Sequence, residues 1–207
     1  MFKRAFFVIG LALASISAHA DLQTLSAALW PPAGSSGLDS VLFNVDTTDS
    51  GITVALGAHA YKNSAFLPND GISTFYAQPG IYAADGKGYA NWSFDFAYDL
   101  NGCGSCSVIL TITDGNNPLD TISGNLTSLG NADSDSWNLE MSFLSAYGFD
   151  PYASSVTDFD LKVTNSDGRT IADTGITVDV NGVPEPASIA LVGLALGAAG
   201  FVRRRKN

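Results

Sequence analysis

Positive charge is scarce through most of this 207-residue chain. Between residues 21 and 182 the only bases are Lys62, Lys87, Lys162 and Arg169, set against eighteen aspartates and Glu140, a formal net charge of −15. Such a surface repels phosphate backbones, so no nucleic-acid partner is expected. Basic surfaces and divalent cations suit it better, although aspartate also simply solvates turns and keeps an exported protein soluble. Cysteine and histidine are equally sparse. Cys103, Cys106 and His59 are the only such residues after position 20, which is too few clustered ligands for a zinc site. No G-x-S-x-G elbow supports a serine hydrolase, no clean internal repeat supports a solenoid, and no long amphipathic helical pattern runs through the middle of the chain.

What is there reads as β. In WSFDFAYDL, residues 92–100, Trp92, Phe94, Phe96, Tyr98 and Leu100 alternate with Ser93, Asp95, Ala97 and Asp99, the pattern of a half-buried strand. SVILTIT (107–113) and ITVDV (176–180) are rich in β-branched residues. Further strands are expected in SVLFNV, GITVALGAHA, SWNLEMSFL and DFDLKVTN. Turn residues separate these runs at Asp70-Gly71, Asp85-Gly86-Lys87-Gly88, Asp114-Gly115 and Asp167-Gly168, where glycine supplies positive φ and Asx side chains close the turn. The expected fold is all-β, an antiparallel β-sandwich of jelly-roll or immunoglobulin-like type.

The two ends differ from the middle. Lys3 and Arg4 precede the apolar stretch AFFVIGLALA, and Ala18-His19-Ala20 supplies the small residues of a cleavage site, so residues 1–20 read as a secretory signal peptide. Residues 21–182 form the expected extracellular domain. At the other end, residues 183–207, VPEPASIALVGLALGAAGFVRRRKN, join a Pro-Glu-Pro triplet, an uncharged run and a basic cluster. The run from Ala187 to Val202 is short for a spanning helix, which wants about 20 residues, and its glycines weaken it; it is expected to form a short, temporary transmembrane helix. Arg203, Arg204, Arg205 and Lys206 would hold the terminus in the cytoplasm, leaving the domain outside.

Val183, Pro184, Glu185 and Pro186, the apolar span and the terminal arginines together resemble a PEP-CTERM sorting signal. That resemblance implies an exported protein of a Gram-negative bacterium that makes extracellular polysaccharide. It further implies a membrane-bound precursor processed by signal peptidase and exosortase, and delivery to the cell surface or matrix in association with exopolysaccharide or biofilm. The same segment is also known as an ice-binding protein C-terminal domain, a label for the tail that does not demonstrate ice binding. More loosely, DSDSWNLEMSFL, YGFDPYASSVTDFDLKV and IADTGITVDV resemble the last strands of an uncharacterised β-rich domain found in such proteins.

Several residues invite chemistry. The spacing Cys103-x-x-Cys106, between two strands and in an oxidising compartment, favours a disulfide over metal ligation or redox catalysis. Trp30, Tyr76, Tyr82 and Tyr89 lie in loop or strand-edge surroundings and are candidate glycan contacts, the plain alternative being that they cover strand edges; Trp92 and Trp137 read as core. Asp133 and Asp135, preceded by Asn131, are weak calcium candidates, with Asp158 and Asp160 as conceivable additions; Ser136 and Ser142 stand where an EF-hand needs Gly and Glu. No other cofactor is implied. His59 sits in an Ala-rich strand, more suited to a partly buried structural role than to a general base. The expected function is a non-enzymatic structural or interaction protein; the alternative is a carbohydrate-binding module or a secreted glycan-active enzyme.

Overall fold

A computed structural model describes residues 22–24, 38, 41–62 and 66–181. Ten strands are found among them: β1 (Gln23–Thr24), β2 (Leu42–Thr47), β3 (Thr53–Ala60), β4 (Thr74–Ala77), β5 (Trp92–Asp99), β6 (Ser107–Asp114), β7 (Asn117–Asn125), β8 (Ala132–Trp137), β9 (Ser155–Thr164) and β10 (Thr170–Val180). They form two five-stranded sheets, β1-β2-β3-β5-β8 and β4-β10-β9-β6-β7. The all-β sandwich follows, with one correction to a purely antiparallel arrangement: β4 runs parallel to β10, with Phe75 beside Val178. The chain reaches β4 from the opposite sheet, and such a crossover lets it enter the edge in the same direction as the last strand.

The main core lies between the sheets. Val54 and Leu56 of β3 and Phe94, Phe96 and Tyr98 of β5 meet Val108, Leu110 and Ile112 of β6, Phe159 and Leu161 of β9, and Val178 of β10, all buried. Phe94 and Phe159 stack with centroids 4.5 Å apart. Polar contacts also tie the layers: Asn44 Nδ2 donates to the Gly175 carbonyl (2.8 Å), and Thr174 Oγ1 returns a bond to the Asn44 carbonyl (3.1 Å). Tyr98 sends its hydroxyl to the carbonyls of Leu126 and Gly130, fixing the passage from β7 to β8.

A second apolar layer covers the outer face of the first sheet, where Leu38, Val41, Phe43, Ala55 and Ala97 pack together with Val45 against them. This corrects the half-buried reading of WSFDFAYDL. Ser93, Asp95 and Ala97 are as buried as the aromatic face. Gly57 permits the close approach of β2 that builds this layer, because a Cβ there would stand 2.4 Å from the Leu42 carbonyl oxygen.

SWNLEMSFL is the third correction. Its strand stops at Trp137, and Ser142–Tyr147 instead form a 3-10 helix. The buried Asn138 side chain replaces further strand pairing. Its Oδ1 accepts from the Ala90 N–H (3.1 Å), while Nδ2 donates to the carbonyls of Ala90 (2.9 Å) and Trp92 (2.7 Å).

Candidate functional site

Where β3 ends and β5 begins, three tyrosines converge. The Tyr61 N–H donates to the Asn91 carbonyl (2.8 Å), carrying the end of β3 alongside the approach to β5. That approach is a small hairpin: Ile81 bridges Ala90, and the Tyr82 N–H donates to the Tyr89 carbonyl (2.8 Å). The turn Asp85-Gly86-Lys87-Gly88 closes it after a 3-10 turn over Ala83–Asp85. Gly86 stands at φ 66°, a left-handed conformation costly for other residues.

The folding of this hairpin sets the rings together. Tyr61 meets Tyr82 edge-on at 5.6 Å and Tyr89 edge-on at 5.7 Å, within the range of favourable aromatic pairs. The Tyr61 hydroxyl donates to Asp85 Oδ2 (3.0 Å), and Asp85 Oδ1 accepts from the Lys87 N–H (3.1 Å). Partial burial, and then Asp85, push the Tyr61 hydroxyl up to about 12. The Lys87 N–H holds the Asp85 carboxyl below its usual range, helped by Tyr61 and by the charges of Lys87 and Lys62. Lys62 Nζ sits 5.4 Å from the Tyr61 ring centroid, and Lys87 Nζ 5.6 Å from that of Tyr89, both within cation–π range. All three rings are half-buried, and both lysines are exposed. Such a surface can stack against an apolar sugar face while ammonium and carboxylate groups bind hydroxyls or charge.

The other expected sites separate. Tyr82 and Tyr89 are brought together, whereas Tyr76 lies on β4 on the face opposite core-facing Phe75. Trp30 lies outside the described residues, as do the signal peptide, the Val183 to Pro186 motif, the apolar run and the Arg203 to Lys206 cluster. Among the described residues no helix is long and apolar enough to cross a membrane. Cys103 and Cys106 form a disulfide across the turn after β5, with Cα atoms 5.5 Å apart.

Asp133 and Asp135 share the inward side of edge strand β8, opposite Tyr98 and Phe96. Asp133 accepts from the Ser134 N–H (2.8 Å), and Asp135 from the Ser136 N–H (2.7 Å) and Trp137 Nε1 (2.9 Å). Asp158 accepts from the Thr177 hydroxyl (2.6 Å), and Asp160 pairs with Lys162 (2.5 Å). Among the described residues no group of three or more His, Cys, Asp or Glu side chains stands close enough to hold a metal.

His59 has a partner that sequence order concealed. Its Nδ1 lies 2.7 Å from Asp95 Oδ2, across the β3–β5 pairing on the outer face. Asp95 is fully buried and faces Ser136 across the β5–β8 pairing. Burial pushes the Asp95 carboxyl up, with His59 pulling the other way. Tyr61, Lys62, Asp85 and Lys87 were likewise absent from the sequence candidates. A signal for them was present in the adjacent Tyr61-Lys62 and the Lys87-x-Tyr89 pair, which repeat one cation-beside-ring pattern.

Fold and site thus define an acidic, all-β sandwich with a surface patch of aromatic and basic side chains. Its C-terminal segment, residues 182–206, matches the PEP-CTERM protein-sorting motif. The chain therefore carries a PEP-CTERM sorting domain, which implies exosortase processing and export to the cell surface. No curated protein matches it.

Proposed function

We propose that the protein is a non-enzymatic structural or interaction module of the cell surface or extracellular matrix, associated with exopolysaccharide or biofilm. The sorting motif at 182–206 carries this reading. Signal peptidase removes residues 1–20 and leaves Asp21 first; the apolar run holds the precursor in the inner membrane while exosortase processes the Pro184-Glu185-Pro186 region. Mass spectrometry of surface and membrane fractions, from hosts with and without exosortase, tests it. The expected result is loss of both ends, the second loss depending on exosortase; an intact tail in both strains would make it a permanent anchor.

Carbohydrate binding is the second reading, favoured by the Tyr61, Tyr82 and Tyr89 cluster. Hydrolysis is less supported there. A glycosidase needs two carboxyls flanking one bond, whereas Asp85 spends both oxygens on Tyr61 and Lys87 and Asp95 is sealed beneath the outer layer. The strand order also favours an immunoglobulin-like sandwich over a jelly roll. β5 and β8 are neighbours in one sheet and β6, β9 and β10 in the other, as strands B, E and C, F, G are in that fold.

A further inference from the structure

We propose that the tyrosine patch binds an anionic, uronate-bearing polysaccharide, with Lys62 and Lys87 reading its carboxylates. This rests on the carbohydrate reading of the same patch and adds the charge of the ligand. The distribution of cations carries it. Residues 21–182 hold only four bases against nineteen acids, yet two of the four flank this one cluster, each held over a tyrosine ring. Lys162 is already paired with Asp160, and Arg169 lies in the turn between β9 and β10. Among the described residues neither Lys62 nor Lys87 forms a direct ion pair.

A neutral glycan would need rings and hydrogen-bonding groups, which the rings and hydroxyls of the tyrosine cluster already supply. Two exposed ammonium groups beside them add the ability to take carboxylates. The surrounding negative domain would otherwise repel an acidic polymer, so these groups give the described residues a locus where such a polymer can approach. Asp85 limits the attraction by its own charge, but its oxygens face Tyr61 and the Lys87 backbone. The Lys87 ammonium stands on the side of the Tyr89 ring. Each repeating unit can then stack its apolar face on a tyrosine while its carboxylate meets a lysine, a division of labour that separates affinity from charge selection.

The test uses the full-length protein in detergent, with polygalacturonate, alginate and the carboxyl-reduced, neutral form of each, read by affinity electrophoresis and calorimetry. Binding to an acidic polymer, weakened at least tenfold by K62Q/K87Q and by Y82A/Y89A but unchanged by K162Q, is the expected result. Thermal melting of each variant checks that the fold persists; K62Q alone and K87Q alone, each expected to weaken binding by a smaller factor, replace the double variant if it melts early. Equal binding of acidic and reduced polymers, or binding unaffected by the lysine substitutions, would overturn the charge assignment and leave the glycan reading intact. Binding to neither form would overturn both.

Discussion

β5 and β10 are both interior strands with alternating sequences, yet only one of them has a wet face. Along β10, Ala172, Thr174, Ile176, Val178 and Val180 are buried, while Asp173 is exposed and Ile171, Gly175, Thr177 and Asp179 are half-covered. Along β5 every residue from Trp92 to Tyr98 is buried. The difference comes from elsewhere in the chain: Leu38, Val41 and Phe43 lie over Ala55 and Ala97 and close the outer face of the first sheet. Alternation therefore assigns side chains to faces without saying which faces meet water. Asp95 illustrates the cost. On β10 its counterpart Asp179 remains partly solvated, but on β5 burial pushes the carboxyl up and the His59 contact works against that cost.

The largest effect should come from placing a second charge on the dry face. Ala97→Asp puts an unpaired carboxylate among Phe43, Ala55 and Val41 and should cost roughly 3–5 kcal/mol, enough to threaten folding. Ser123→Asp, on the exposed face of β7, should stay within about 0.5 kcal/mol. Urea melts of the two variants check the contrast, and similar midpoints would mean that the outer face of β5 is hydrated.

Asn138→Ala should follow, at about 2–4 kcal/mol, because it orphans the Ala90 N–H and the Trp92 carbonyl at the start of β5. The same substitution should loosen the adjoining Tyr82 to Tyr89 hairpin, seen as faster amide exchange at Tyr82; unchanged protection would uncouple the hairpin from the strand. Replacing Cys103 and Cys106 with serine should cost less, about 2 kcal/mol, since the loop they close is short. A difference in thermal melting comparable to that of Asn138→Ala would indicate that burial of Cys106, rather than loop closure, dominates.

The legible part of the fold was the part written in β-branched and aromatic residues. SVILTIT, ITVDV and GITVALGAHA became β6, the end of β10 and β3 because their side chains alone define a face. β8 was hidden because ADSDSW offers one large apolar residue and gains its place by pairing with β5. The start of SWNLEMSFL entered β8, but its later residues turned away because a buried asparagine took over the hydrogen bonds. At the site, Tyr82 and Tyr89 were recognisable as loop aromatics around a glycine turn. Tyr61 was not, because its approach depends on the long-range pairing of Ala60 with Trp92. The His59–Asp95 contact was concealed for the same reason, thirty-six residues of separation closing only across a sheet.

The effect that is smallest per pH unit is the most diagnostic of the two faces. Asp95 has its carboxyl pushed up by burial, so the folded state binds a proton more readily than the unfolded chain, whose value is about 3.9. Its favourable contribution is then complete below that value and is lost as pH rises through the raised folded pKa. Asp95→Asn keeps an oxygen to accept from His59 and remains neutral throughout. The stability of the wild type relative to this variant should therefore fall with rising pH above about 4, no more steeply than ~1.4 kcal/mol per pH unit. Denaturant melts of both proteins across that range measure the difference directly and cancel the other carboxylates, including Asp133 and Glu140, which burial also pushes up. A difference that grows with pH would mean that charged Asp95 stabilises the fold. The dry face of β5 would then hold a carboxylate that its neighbours stabilise in charged form, and not one that burial disfavours.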